Sequence, residues 1–208
     1  MSVENKVDRV YASRSNQELE ERYDQWASEY EADLNKDFDY KGSPRAAELL
    51  GRHVPKDARI LDAGASTGLV GQILAGLGYG NLTAMDLSQG MLEESRRKNV
   101  YRELRQMVMG EQLDFPAGSF DAVISMGVLT VGHAPASSLD ELVRVTKQGG
   151  HIVFTLRPDV YETCGFKETH AALEAADKWQ HVETSEQFQA LPKGNPDVYH
   201  QVWVYRVT

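Results

Sequence analysis

A single cysteine, Cys164, stands in the 208 residues. One thiol cannot build an intrachain disulfide framework or a cysteine-based zinc site, and it fits a reducing compartment. Basic residues are also short, 22 against 31 acidic, which leaves a net charge of −9. The only basic run, Arg96-Arg97-Lys98, suits the C-terminal end of a helix. Nucleic acid is therefore not expected as the main partner, because phosphate binding needs a concentrated basic surface. No apolar stretch approaches the ~18 residues of a membrane span, so no membrane partner is expected. Met1 to Arg14 is polar and carries no apolar signal core, which points to a cytoplasmic protein. Internal repeats and low-complexity tracts are missing. No group of His, Asp and Glu has metal-ligand spacing, so no metal is expected.

What is there is a chain of one-domain size that is 41% hydrophobic and 25% charged, enough for a full core. Its most informative stretch is Arg59 to Gly71. The apolar pair Ile60-Leu61 reaches Asp62 and breaks into the small-residue loop Ala63-Gly64-Ala65-Ser66-Thr67-Gly68. That loop feeds a helical pattern. Strand, Gly-rich turn and helix in this order build a nucleotide-type pocket at the carboxyl end of a parallel strand. Glycines there allow positive φ and close approach of the backbone, and the helix offers its unpaired N–H groups.

Residues 1–14 read as a loose arm and residues 15–52 as a helical lid. The lid carries one helix from Ser15 or Asn16 to about Leu34 and another from Pro44 through Leu50. Residues 53–208 read as alternating strands and helices. Strands are expected over 58–63, 82–86, 104–109, 120–126, 151–156, 179–183 and 198–207. Helices are expected over 69–77, 89–99, 138–146 and 168–177, with a loop around Pro158. This alternation predicts an α/β, Rossmann-like, doubly wound sheet of seven mostly parallel strands with an antiparallel last strand. Ligands in such sheets bind outside the carboxyl ends, at the switch point.

Asp86 closes the second strand, where a carboxylate accepts hydrogen bonds from both ribose hydroxyls; the alternative is that it only caps the next helix. Leu87 and Met91 follow at a distance that suits an adenine ring. The register Asp62-x-Gly64-x-Ser66-x-Gly68 differs from the dinucleotide Gly-x-Gly-x-x-Gly pattern. His133, just past the fourth strand, is the best candidate for a general base, against the plainer reading of a loop histidine bonded to backbone. His151 and His200 fall on strands and read as structural.

At this point the chain resembles the class I S-adenosylmethionine-dependent methyltransferases. The resemblance rests on Leu61 to Gly68, Met85-Asp86-Leu87-Ser88, Leu113-Asp114-Phe115-Pro116, Ser119 to Val123 and Val143 to Gly150. Within that superfamily it is similar to the Williams-Beuren-region methyltransferase-like group, through Arg22 to Ala27, Tyr30, and Gly132-His133-Ala134-Pro135. The resemblance implies S-adenosylmethionine as cofactor and S-adenosylhomocysteine as product; the short helical lid leaves little room for a substrate domain, so a small-molecule substrate is expected, with the protein a monomer or homodimer. It implies that Gly64 and Gly68 line the methionine and ribose portion, with Asp62, Ala65, Ser66 and Met126 also in the cofactor site. Asp86 would hold the ribose and Leu113 would border the adenine. Tyr23 and Tyr30 would form a lid over the methionine; for these two and Trp26 an ordinary apolar helix face is the competing reading.

Two positions depart from that pattern. Ser66 stands where a middle glycine is usual. Val108 stands where an acidic residue often accepts the adenine amino group, which leaves Glu111 or Gln112 to supply a polar contact. These departures motivate an alternative: a member that binds the cofactor or its product but performs no methyl transfer, or another reaction such as cyclisation or elimination. A third reading is a protein-binding module that uses the acidic surface.

Overall fold

The computed structural model describes residues 3–35, 39–193 and 196–208. Four helices come first: α1 (Val3–Tyr11), α2 (Asn16–Trp26), α3 (Tyr30–Asp33) and α4 (Gly42–His53). Strands and helices then alternate through β1 (Ile60–Ala63), α5 (Leu69–Gly76), β2 (Leu82–Asp86), α6 (Gln89–Arg97) and β3 (Glu103–Gln106). β4 (Phe120–Ser125), α7 (Ser138–Val145) and β5 (Thr146–Leu156) follow. The chain closes with α8 (Pro158–Thr163), α9 (Phe166–Ala175), β6 (Trp179–Thr184), β7 (Phe188–Gln189) and β8 (Tyr199–Val207).

Seven strands cross the sheet in the order β3-β2-β1-β4-β5-β8-β6, and the two-residue β7 adds an eighth beside β8. β1 pairs parallel with both β2 and β4. β8 runs antiparallel to β5 and to β6. The expected α/β sheet with an antiparallel final strand is therefore present. The chain winds outward from β1 to β3, then returns to β4 on the other side. The carboxyl ends of β1 and β4 part there, and this is the switch point where a crevice opens.

All four residues of β1 are buried, because both faces of the sheet are covered. Leu61 and Ala63 join Met85, Val123 and Leu139 of α7 on one face. Ile60 joins Leu82, Ile124, Leu50 of α4 and Leu74 of α5 on the other. Each such large side chain contributes about 1.5–3 kcal/mol when withdrawn from water.

Three local differences from the sequence reading bear on the site. Where a loose arm is expected, α1 forms, because Val7 and Val10 share a face and pack on Leu19 and Trp26. The single helix expected to Leu34 is broken: α2 ends at Trp26, and α3 starts at Tyr30 after a turn closed by Glu29 N donating to Trp26 O at 3.0 Å. The third strand stops at Gln106 rather than Met109, so Met107 to Met109 leave the sheet. A further helix, α8, occupies the expected loop around Pro158, with the proline at its first turn.

Candidate active site

The end of β1 is tied across to β2 by two backbone bonds: Gly64 N and Ala65 N both donate to Met85 O, at 2.8 and 2.9 Å. Gly64 has φ +80°, and a Cβ there would fall 2.2 Å from Cγ2 of Val128. Only glycine fits that floor. Ser66 also takes a left-handed conformation, with φ 51°. This explains why glycine is the ordinary occupant, since a side chain there costs about 1–2 kcal/mol. Ser66 holds the turn by donating its N–H to Oδ2 of Asp86 at 2.8 Å. Its hydroxyl lies 3.4 Å from Sδ of Met91.

Asp86 is buried, and its Oδ1 accepts from Ser88 N at 2.9 Å. It steadies the start of α6 and also lines the crevice. Burial pushes its pKa up to about 6, against the pull of the backbone N–H groups.

Asp62 behaves differently. It lies beneath the loop, where Oδ2 accepts from the Tyr101 hydroxyl at 2.5 Å, while Oδ1 has no partner. Tyr101 in turn accepts from Gly71 N at 3.0 Å. A Cβ on Gly71 would meet the Tyr101 hydroxyl at 2.1 Å. Desolvation pushes Asp62 up to about 7. Asp62 thus braces the loop from below through Tyr101, a residue that the sequence reading did not single out.

The crevice above the loop holds a chamber of about 70 Å³. Of the expected residues, Gly64, Ser66, Asp86, Leu87, Met91 and Met126 line it, with Tyr23, Tyr30 and His133. Ala65 packs behind the loop on Ala84 and Leu92, and Gly68 caps α5 against Ser95 and Tyr101. Leu113 lies in the core beneath, 2% exposed, rather than against the chamber. Glu111 and Gln112 point to solvent. Gly110, at φ +99° and against Pro135, turns the chain outward before them. Met107, Val108 and Met109 line the chamber in their place, because the strand ends early and the chain crosses the pocket there.

The lid docks through specific bonds. Asp24 Oδ1 accepts from Ser88 Oγ at 2.6 Å and from Gly90 N at 2.8 Å. Gln106 donates to Glu20 at 2.7 Å. Tyr23 then reaches His133, with its hydroxyl 2.7 Å from Nε2. His133 Nδ1 lies 3.1 Å from Val131 O, a carbonyl that only accepts. Nδ1 therefore carries the proton, and Nε2 accepts from the Tyr23 hydroxyl. Burial lowers the pKa of His133 and raises that of Tyr23 well above its ordinary value. So His133 is bonded to backbone, and it also faces the chamber.

Past Tyr23, Tyr30, Met126 and Gly127, which line both spaces, lies a second chamber of about 270 Å³. His200 lines it from β8, along with Thr130, Thr155 and Arg157. His151 lies apart, stacked on His53 at 5.4 Å.

The methyltransferase-domain family matches residues 61–154. The chain is 34% identical over 166 residues to Methyltransferase-like protein 27 of Homo sapiens, covering 76% of this chain and 66% of that protein. Residues 61–154 thus belong to the methyltransferase-domain family. A second relative, the malonyl-acyl-carrier-protein O-methyltransferase of Legionella pneumophila, is 31% identical over 173 residues, 80% of this chain and 58% of that protein. The chain thus spans less than two thirds of the length of the relatives it matches. Its fold is shared with the 4+2 cyclase SpnF, at a TM-score of 0.72 and 16% identity over 94% of this chain and 97% of that one. The floor at Gly64, which admits no Cβ, and the buried acceptor-only carboxylate of Asp86 fit the family's cofactor.

Proposed function

We propose that this chain transfers a methyl group from S-adenosylmethionine to a small-molecule acceptor. The observation that carries the reading is Asp86, buried at the crevice with each oxygen oriented by a backbone N–H, beside a Gly64 floor that only glycine can form. When bound, the cofactor supplies an activated methyl group on sulfur and leaves as S-adenosylhomocysteine. Asp86 would hold the ribose hydroxyls, and Met91 and Val108 would flank the base. Tyr23 and Tyr30 would close over the methionine end and exclude water.

A protonated acceptor has to lose a proton as it is methylated. Tyr23 and His133 offer a route. The acceptor's proton passes to the Tyr23 oxygen while Tyr23 gives its own to Nε2 of His133. Nε2 is already aimed at that hydroxyl at 2.7 Å. Orientation between the two chambers supplies the rest of the rate.

Calorimetry with S-adenosylmethionine and S-adenosylhomocysteine tests the cofactor, and release of S-adenosylhomocysteine over an acceptor panel tests the reaction. No binding at millimolar cofactor would refute this reading. Binding without turnover on any acceptor would favour the second one, a cofactor-binding member that performs another reaction. The left-handed Ser66 and the apolar Val108 at the base-binding wall motivate that reading, as does the fold shared with a cyclase.

A further inference from the structure

Helix α1 ends beside the Tyr23–His133 pair. Its last residue, Tyr11, lays its ring 4.9 Å from that of His133, tilted by 57°. The Tyr23 ring approaches the same imidazole edge to face at 5.7 Å. His133 is thus held between a ring from α1 and a ring from α2. Its nitrogens are committed elsewhere, Nδ1 to Val131 O and Nε2 to the Tyr23 hydroxyl.

The Tyr11 end of this contact is fixed from both sides. Gly132, just before His133, has φ +76°, and a Cβ there would lie 3.2 Å from Tyr11 O. The glycine lets the loop come this close to α1. On the other side α1 is strapped to the lid. Lys6 Nζ donates to Oδ2 of Asp33 at 2.8 Å and also to Glu29. Arg9 Nη2 donates to Oε1 of Gln25 at 2.9 Å, and Arg22 Nη1 to Ser13 Oγ at 3.1 Å. Val7 and Val10 pack beneath on Leu19 and Trp26.

Two effects of an aromatic neighbour on His133 oppose each other. A ring face attracts an imidazolium by about 0.5–2 kcal/mol, which favours protonation. A ring also keeps water away, which disfavours it. Burial lowers the pKa of His133, and the bond to Val131 opposes that only in part. Exclusion of water therefore outweighs the attraction. The groups that face the imidazole are the phenols of Tyr11 from α1 and Tyr23 from α2, with the Val131 carbonyl of its own loop. No carboxylate or cation among the described residues shifts it.

A neutral imidazole is what the proton route requires. Nε2 takes the Tyr23 proton only if it carries none already. Water at the open face of the ring would also compete with Tyr23 for the Nε2 lone pair.

We infer that Tyr11 is a positioning residue for the proposed methyl transfer: its ring shields His133 from water and holds Nε2 on the Tyr23 hydroxyl. This rests on the methyl-transfer reading and makes α1 part of the site rather than an arm beside it.

The test is an NMR titration of the imidazole Cε1–H signals of the whole chain, first free and then saturated with S-adenosylhomocysteine. The chain has six histidines, and the signal missing from His133→Gln identifies the one that matters. Tyr11→Ala should raise the proton affinity of His133 about threefold or more, moving its titration to higher pH. Tyr11→Phe keeps the ring and should titrate like the parent. His170, 2% exposed in the core, should titrate alike in all of them and so reports an intact fold in the same spectra. A Tyr11→Ala signal that titrates with the parent or at lower pH would overturn the proposal. So would a Tyr11→Phe signal that follows Tyr11→Ala, or an equal shift at His170, which marks general loosening. A calorimetric failure to bind S-adenosylhomocysteine would instead remove the methyl-transfer reading, while the titration of the free chain would still decide whether Tyr11 shields His133.

Discussion

Asp86 has both carboxylate oxygens held by backbone N–H groups, yet burial keeps its pKa near 6. Ribose hydroxyls donate hydrogen bonds and so favour its ionised form. Below pH 6 the free protein has to lose a proton before the cofactor binds, and above pH 6 it does not. S-adenosylhomocysteine affinity should therefore rise as pH goes from 5 to 6.5 and then level off. Calorimetry at a series of pH values checks this. Asp86→Ala should weaken binding at least tenfold at pH 7 and flatten that profile; unchanged affinity would show that the carboxylate does not touch the ribose. Much of this site was legible in the chain, because Gly64, Ser66 and Asp86 are adjacent to strand ends and their chemistry is local. Tyr101 was not, since its partners Asp62 and Gly71 lie 39 and 30 positions away and meet it only beneath the folded loop.

At the scale of elements, the lid is held by few bonds. α2 rests on α6 through Asp24, which accepts from Ser88 and Gly90. A Cβ on Gly90 would come within 3.0 Å of the Asp24 backbone, so the small residue sets how close the two helices approach. The first chamber is only about 70 Å³ with α2 in this position, below the ~300 Å³ of ordinary ligand clefts. We therefore expect α2 and α3 to lift for cofactor entry, with Asp24 as the latch. Asp24→Ala should raise the dissociation rate of S-adenosylhomocysteine about threefold or more in stopped-flow measurements, with the thermal midpoint of the core little changed. A dissociation rate equal to that of the parent would show that the lid is not held there. Helix α1 belongs to the same assembly. Its polar residues gave it the look of an arm, but Val10 becomes buried because Leu19 and Trp26 offer it a surface. Periodicity over nine residues is a weak signal until the opposing face exists.

Over the whole molecule, buried acids and buried histidines pull stability in opposite directions with pH. Asp62 rises to about 7 in the folded state, so its contribution is full below pH 4 and is lost as pH climbs toward 7. His170 and His200 fall to about 4, so theirs is full above pH 6.5 and is lost as pH drops toward 4. Between pH 4.5 and 6.5 these slopes oppose one another. Asp62→Asn removes the acid's share, so the unfolding free energy of the cofactor-free variant should increase more steeply with pH across that window than the parent's. Urea denaturation at three pH values measures the difference, and parallel slopes would exclude Asp62 as a titrating group.

Family and sheet architecture were determined by the sequence alone. They follow from local rules: a strand's hydrophobic run, a turn that needs glycine, a helix that begins where its cap stands. The expected contacts of Leu113, Glu111 and Gln112 were decided otherwise by tertiary structure. An early end to β3 and the left-handed turn at Gly110 carry these residues past the crevice and bring Met107 to Met109 across it. The second chamber is a product of tertiary structure in the same sense. Thr130, Arg157 and His200 come from three distant segments and share a space only because β8 runs antiparallel beside β5 and the N-terminal helices fold over the sheet's carboxyl edge. Short-range spacing cannot encode that meeting, since it depends on which surfaces are left to bury once the sheet has formed.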